Sequence, residues 1–98
     1  MPVFEWDARK AAANLRKHGV SFDEAATVFA DPDALDGPDL THSEHETRSL
    51  RLGRSLAGRV LMLAYTLRRS GDAETIRIIS ARRASRKERE AYRPSSAD

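Results

Sequence analysis

Hydrophobic and polar positions change period midway along the chain. Val3-Phe4-Glu5-Trp6 groups aromatic and β-branched residues as a short strand does. Asp7 then stands at a helix start, and Ala8, Ala11, Ala12 and Leu15 recur at helical spacing. Lys17 and His18 occupy the last turn, where positive charge meets the negative helix end, and Gly19 suits the left-handed residue that closes it. Ser21 and Glu24 have the spacing of a capping box for a second helix, with Phe22, Ala25, Ala26 and Phe29 on one face and Asp31-Pro32 as its stop. Residues 31–47 read as a loop, with room for a short strand at 34–36. From Arg48 the period is two: Leu50 and Leu52 alternate with Ser49 and Arg51.

The next strand is an unbroken apolar run, Val60 to Ala64, continuing to Thr66, which places it at the centre of a sheet. Ser55 to Gly58 and Arg69 to Ala73 are turns, and Thr75 to Ser80 is the following strand. Such short links require antiparallel neighbours. Ala81 to Arg93 reads as a helix carrying Arg82, Arg86, Arg89 and Arg93 on one face, with residues 93–98 a frayed tail. The expectation is one α+β domain over residues 1–98: two N-terminal helices, an antiparallel sheet of three to four strands and a C-terminal helix.

Composition sharpens this picture in two ways. There is no cysteine, which removes disulfides, thiolate metal sites and a thiol nucleophile and fits a cytoplasmic protein. No apolar run is long enough to cross a membrane, and the N-terminus has no signal-peptide pattern. The net charge of +2 conceals an asymmetry. Residues 1–47 carry four basic and ten acidic side chains, a balance of −6, and residues 48–98 carry thirteen and five, a balance of +8. Twelve of those thirteen are arginine, the side chain suited to bidentate phosphate contact. The basic half points to a polyanion, and the bland alternative is a solvated surface paired with the acidic half.

Three groups of residues could carry chemistry. Asp39, His42, His45 and Glu46 have the residue types of a divalent-metal site, but two imidazoles in an acidic loop are ordinarily just solvated, so no metal or other cofactor is assigned. Lys17-His18 sits at a helix terminus, where dipole complementation already explains both residues. Arg82 and Arg86, preceded by Arg68 and Arg77, have only Glu88 and Glu90 beside them on the predicted helix. Guanidinium groups left unpaired on one face favour a bound phosphate.

Together these residues resemble the BrnT toxins of the BrnT/BrnA type II toxin–antitoxin systems of bacteria. The matching segments are Phe4-Glu5-Trp6-Asp7, Lys10, Asn14, Lys17 to Phe22, Glu24-Ala25, Phe29 and Asp31-Pro32. They continue with Glu46-Thr47-Arg48, Gly53, Tyr65 to Arg68, Arg77 to Ala84, Glu88 and Tyr92. The resemblance implies a RelE-like fold and a ribonuclease that inhibits translation and growth. It implies a ribbon-helix-helix antitoxin of the BrnA type as partner, and contact with DNA only through that antitoxin. Carried over by position, the active residues are Lys17, His18, Glu46, Arg68, Arg82 and Arg86. Arg69 stands as the alternative to Arg68 and Arg83 as the alternative to Arg82. Arg83 and Arg89 are the neighbouring RNA-binding candidates. Cleavage without a metal would use the RNA 2′-OH as nucleophile, with His18 or Glu46 as base; an imidazole titrates near neutrality and a carboxyl well below it. Each phosphate-binding arginine would supply about 2–4 kcal/mol. A non-enzymatic nucleic-acid binder or a protein-interaction module shares the basic half but has no use for Lys17, His18 and Glu46.

Overall fold

The computed structural model describes residues 2–40 and 47–92. In chain order they form β1 (Val3–Glu5), α1 (Ala8–His18), α2 (Phe22–Thr27) with a 3-10 turn over Val28–Ala30, β2 (Leu35–Pro38), β3 (Ser49–Arg54), β4 (Val60–Ser70), β5 (Ala73–Arg83) and α3 (Arg86–Ala91). One five-stranded sheet has the order β1-β5-β4-β3-β2. The apolar run of β4 lies at its centre, as its composition requires. The sheet exceeds the three to four strands expected, and it is not wholly antiparallel, because β1 and β2 from the chain's first half join it as its two edges. β2 pairs antiparallel with β3, and β1 pairs parallel with β5 from Val3–Thr75 to Glu5–Arg77.

Local chemistry explains the helix ends. The Asp7 carboxylate accepts the N–H groups of Arg9 and Lys10 at 2.9 and 3.0 Å, and Gly19 closes α1 at φ 69° while its N–H donates to the Leu15 carbonyl. Ser21 caps α2 by accepting the Glu24 N–H at 3.0 Å. The expected box is only half formed. The Glu24 carboxylate turns away to Arg59 and to Ser55 Oγ, tying α2 to the β3–β4 turn. A complete capping box stands instead at the start of α3, between Ser85 and Glu88. The helix predicted from Ala81 is therefore a strand up to Arg83, and α3 begins only at Arg86. Arg82 does not share a helical face with Arg86 and Arg89.

The face that α1 turns inward also differs from the alanine–leucine stripe. Leu15 is 50% exposed, whereas Asn14 is 8% exposed. The main core lies between the helices and one sheet face. Val20, Phe22, Ala25 and Val28 pack on Leu61, Leu63, Ile76, Ile78 and Ala81. On the opposite face, Leu52, Ala84 and Tyr92 form a smaller cluster with Val60 and Met62. The Tyr92 hydroxyl donates to Asp31 Oδ2 at 2.6 Å, pinning the end of α3 to the segment after α2.

β5 contains one irregularity with large consequences. Ser80 faces Ala64 but Ile78 faces Tyr65, so Ile79 is an extra residue in the ladder. Such a bulge reverses the side to which all later side chains point. Ile76 and Ile78 enter the core; beyond the bulge it is Ala81, 1% exposed, that does so. Ser80 and Arg82, partners of Ala64 and Met62, are turned to the other face.

Gly53 is the one described glycine with atoms packed directly against its Cα. A Cβ there would stand 2.8 Å from both Ala34 Cβ and Val28 Cγ1, atoms fixed close to backbone. Gly53→Ala is expected to cost about 1–3 kcal/mol through overpacking, read as a lower midpoint in urea unfolding.

Candidate active-site cleft

β1 covers only the first part of the β5 edge, leaving the backbone of Ala81 with no strand partner on that side. Asn14 takes the strand's place. Its Nδ2 donates to the Ala81 carbonyl at 2.8 Å and to the Val20 carbonyl at 3.0 Å, while its Oδ1 accepts the Ala81 N–H at 3.1 Å. One buried amide thus satisfies three backbone groups and clamps the end of α1 against β5. The next turn of α1 ends in His18. Arg59 Nη2 donates to the carbonyl of Gly19 at 3.1 Å and fixes the chain just after it.

This clamp brings His18 into a cleft of about 400 Å³ with Asp39, Arg82 and Glu88. The remaining lining, Leu50, Met62, Ala64, Ser80 and Ala81, is small or apolar and belongs mostly to the sheet. The Asp39 N–H donates to the Arg48 carbonyl at 3.0 Å, so the two ends of the intervening segment meet beside the cleft. The His18 imidazole makes no hydrogen bond among the described residues.

Arg82 is held by α3. Its Nη1 and Nη2 donate to the two Glu88 carboxylate oxygens at 2.7 and 2.9 Å, and Nη1 also donates to the Arg83 carbonyl. Glu88 is itself fixed by accepting the Ser85 N–H at 2.8 Å. The Arg82 hydrogen bonds, with those of Ser85, hold the Glu88 carboxyl down to about 2 against burial, from an ordinary 4.5. The same bonds raise the Arg82 guanidinium's affinity for its proton. A guanidinium has five N–H donors. The Nε–H and the outer Nη2–H of Arg82, a parallel pair, meet no acceptor among the described residues. That fork matches two oxygens of a phosphate.

The predicted site residues thus fall into separate groups. His18 and Arg82 share the cleft. Lys17 is exposed on the same helical turn and does not line it. Arg86 is 88% exposed on α3, where its Nε lies 3.8 Å from Glu90 Oε1. Arg68 lies six residues along β4 from Met62, the partner of Arg82, a separation of about 20 Å. It approaches Glu5 at 4.0 Å, and its neighbour Arg69 pairs with Glu74. Arg83 and Arg89 line a different groove, beyond the end of the sheet. Glu46, His42, His45 and Arg93 lie outside the described residues. The expected face of unpaired arginines does not form, since both glutamates of α3 engage arginines. Glu88 and Asn14 hold positions in the site that residue order alone did not assign to them. The spacing Ser85-x-x-Glu88 was the available signal for the first; an amide at a helical position facing β5 gave none until the sheet edge was known.

Two outcomes follow from these contacts. Asn14→Ala strands three backbone groups and is expected to cost about 2–4 kcal/mol, measured by chemical unfolding. Because the Glu88 carboxyl is lowered by folding, the lock's contribution is complete above about pH 4.5 and fades as pH falls through 2. Both groups are partly solvated, so its size is about 1–2 kcal/mol. Glu88→Gln should flatten the acid limb of a stability–pH curve over that interval. Some slope will remain, because Arg59 and Ser55 hold the Glu24 carboxyl down as well.

The model of one protein family, described as "Ribonuclease toxin, BrnT, of type II toxin-antitoxin system", matches residues 6–88. Among solved structures, the ribonuclease toxin BrnT of Brucella abortus, a crystal structure at 1.1 Å, superposes with a TM-score of 0.63 at 20% identity. The match covers 88% of this chain and 100% of that one. No match was found among curated proteins.

Proposed function

Because the chain belongs to the BrnT ribonuclease toxins of type II toxin–antitoxin systems, we propose that it is a metal-independent endoribonuclease whose scissile phosphate sits between His18 and Arg82. The convergence of an imidazole from α1 with a pre-oriented guanidinium from β5 supports this reading most strongly. RNA brings its own nucleophile. The 2′-oxygen bonds to phosphorus as its proton passes to a base, and the bond to the 5′-oxygen breaks as that oxygen takes a proton. The products are a 2′,3′-cyclic phosphate and a free 5′-hydroxyl.

Each residue has a role set by its chemistry. The open Nε/Nη2 fork of Arg82 holds two phosphate oxygens and stabilises the extra negative charge of the transition state. Glu88 fixes the plane of that fork without occupying it. His18 moves one proton, and Glu46, two residues before Arg48 in the chain, supplies the other acid–base group. The apolar floor excludes water beneath the phosphate. Lys17 and Arg86 contact flanking phosphates, whereas Arg68 takes no part at this centre. Neutralisation falls to an antitoxin of the ribbon-helix-helix type, which masks the cleft and carries any contact with DNA. The grouping with RelE-like toxins and the arrest of translation belong to the same reading.

Single-stranded RNA incubated with the purified protein in excess EDTA tests the proposal. Cleavage should persist and leave cyclic or 3′-phosphate ends. Ends bearing a 5′-phosphate, or activity abolished by the chelator, would overturn it. Arg82→Ala is expected to lower kcat about 10²–10³-fold, and His18→Ala about 10²–10⁴-fold, with melting temperatures showing that each variant folds.

A further inference from the structure

A basic groove lies around the end of the sheet from the cleft. Arg54, Arg59, Arg83 and Arg89 line it together with Gly58 and Tyr92, around a volume of about 440 Å³. Among the described residues, no carboxylate lines this groove. Two of the four guanidinium groups are oriented by neutral carbonyls. Arg54 Nη1 donates to the Gly58 carbonyl at 3.1 Å, and Arg89 Nη1 to the Ala84 carbonyl at 2.9 Å. Such bonds fix direction and leave the positive charge intact. Arg54 also lies over the Tyr92 ring, 5.8 Å from its centre. Among the described residues, Glu24 pairs with Arg59, and its carboxyl also feels the charge of Arg83; Arg54 and Arg89 have no carboxylate partner there. The nearby Asp31 spends its Oδ2 on the Tyr92 hydroxyl and the Arg54 backbone N–H. Like charges gathered this way repel one another unless an anion lies among them.

We propose that this groove binds the phosphodiester backbone of single-stranded RNA as a subsite separate from the cleavage cleft. Register supplies the link. Arg82 and Arg83 are consecutive in β5 and point to opposite faces, so one strand passing around the sheet end meets both. An acidic protein segment would need the same charge but not that continuity with the cleft. The inference rests on the ribonuclease reading, since it extends the path of that substrate.

The test is equilibrium binding of a fluorescent 2′-O-methyl RNA oligonucleotide, which has no attacking hydroxyl, to the full chain at several salt concentrations. Each lost phosphate contact lowers the slope of log K against log salt by about 0.7. Arg83→Ala should therefore lose about 0.7, and Arg83→Ala combined with Arg89→Ala about 1.4. Thermal melts confirm that both variants are folded. A wild-type slope in both variants would overturn the subsite even if the protein cleaves RNA normally. A reduced slope in a protein that never cleaves RNA would support the subsite and count against the ribonuclease reading alone. Tight binding of polyglutamate with none of the oligonucleotide would make the groove a protein-docking surface and overturn the proposal.

Discussion

The arrangement of the cleft depends on the uncovered backbone edge of β5. A sheet edge that no strand covers must satisfy its N–H and C=O groups by other means. Here β1 stops at Glu5, opposite Arg77, and the amide of Asn14 completes the edge at Ala81. This solution has a geometric consequence. A helix held to a sheet by its own side-chain amide is fixed both along and around its axis, so the residue one turn on has little freedom of position. That residue is His18. A backbone hydrogen-bonding requirement thus sets where an imidazole stands relative to Arg82.

The bulge at Ile79 supplies the other half of the geometry. Without it, strict alternation after Ile76 and Ile78 would drive Ser80 and Arg82 into the apolar core and expose Ala81. With it, the small Ala81 packs inward, where Asn14 can reach its backbone, and Arg82 emerges beside Glu88. The extra residue therefore serves packing and site at once. Asn14 has an alanine to lie against, and the arginine has a carboxylate to align it. Neither contact exists in the unbulged register.

Much of the fold was readable from residue order, because capping and periodicity are local. Asp7, Gly19 and Ser21 bound their helices through contacts within four residues. The central position of β4 follows from its unbroken apolar run. The errors arose where long-range pairing competes with local pattern. Arg82, Arg86 and Arg89 have helical spacing, but the β4 ladder holds the chain extended through Arg83. Ser21 and Glu24 have the spacing of a capping box, but Arg59, remote in sequence, offers Glu24 a better partner. The cleft was legible only in part, since His18 and Arg82 meet through Asn14 and a bulge, both tertiary features. The doubled isoleucine at 78–79 was the one local trace of that bulge.

The cleft and the groove use arginine in two different ways. At the cleft, a bidentate carboxylate fixes the Arg82 plane and cancels much of its field, so affinity there must come from donor geometry at short range. In the groove, carbonyls orient Arg54 and Arg89 without cancelling charge, so attraction there extends further and is more easily screened by salt. On the proposed reading, a polyanion is gathered by one region and aligned by the other. Lysine could serve the first purpose but not the second. An ammonium is a point charge, and once Glu88 had bound it no fixed fork would remain to receive a phosphate. On that reading, the bidentate partner at Glu88 calls for a planar cation with donors to spare at position 82.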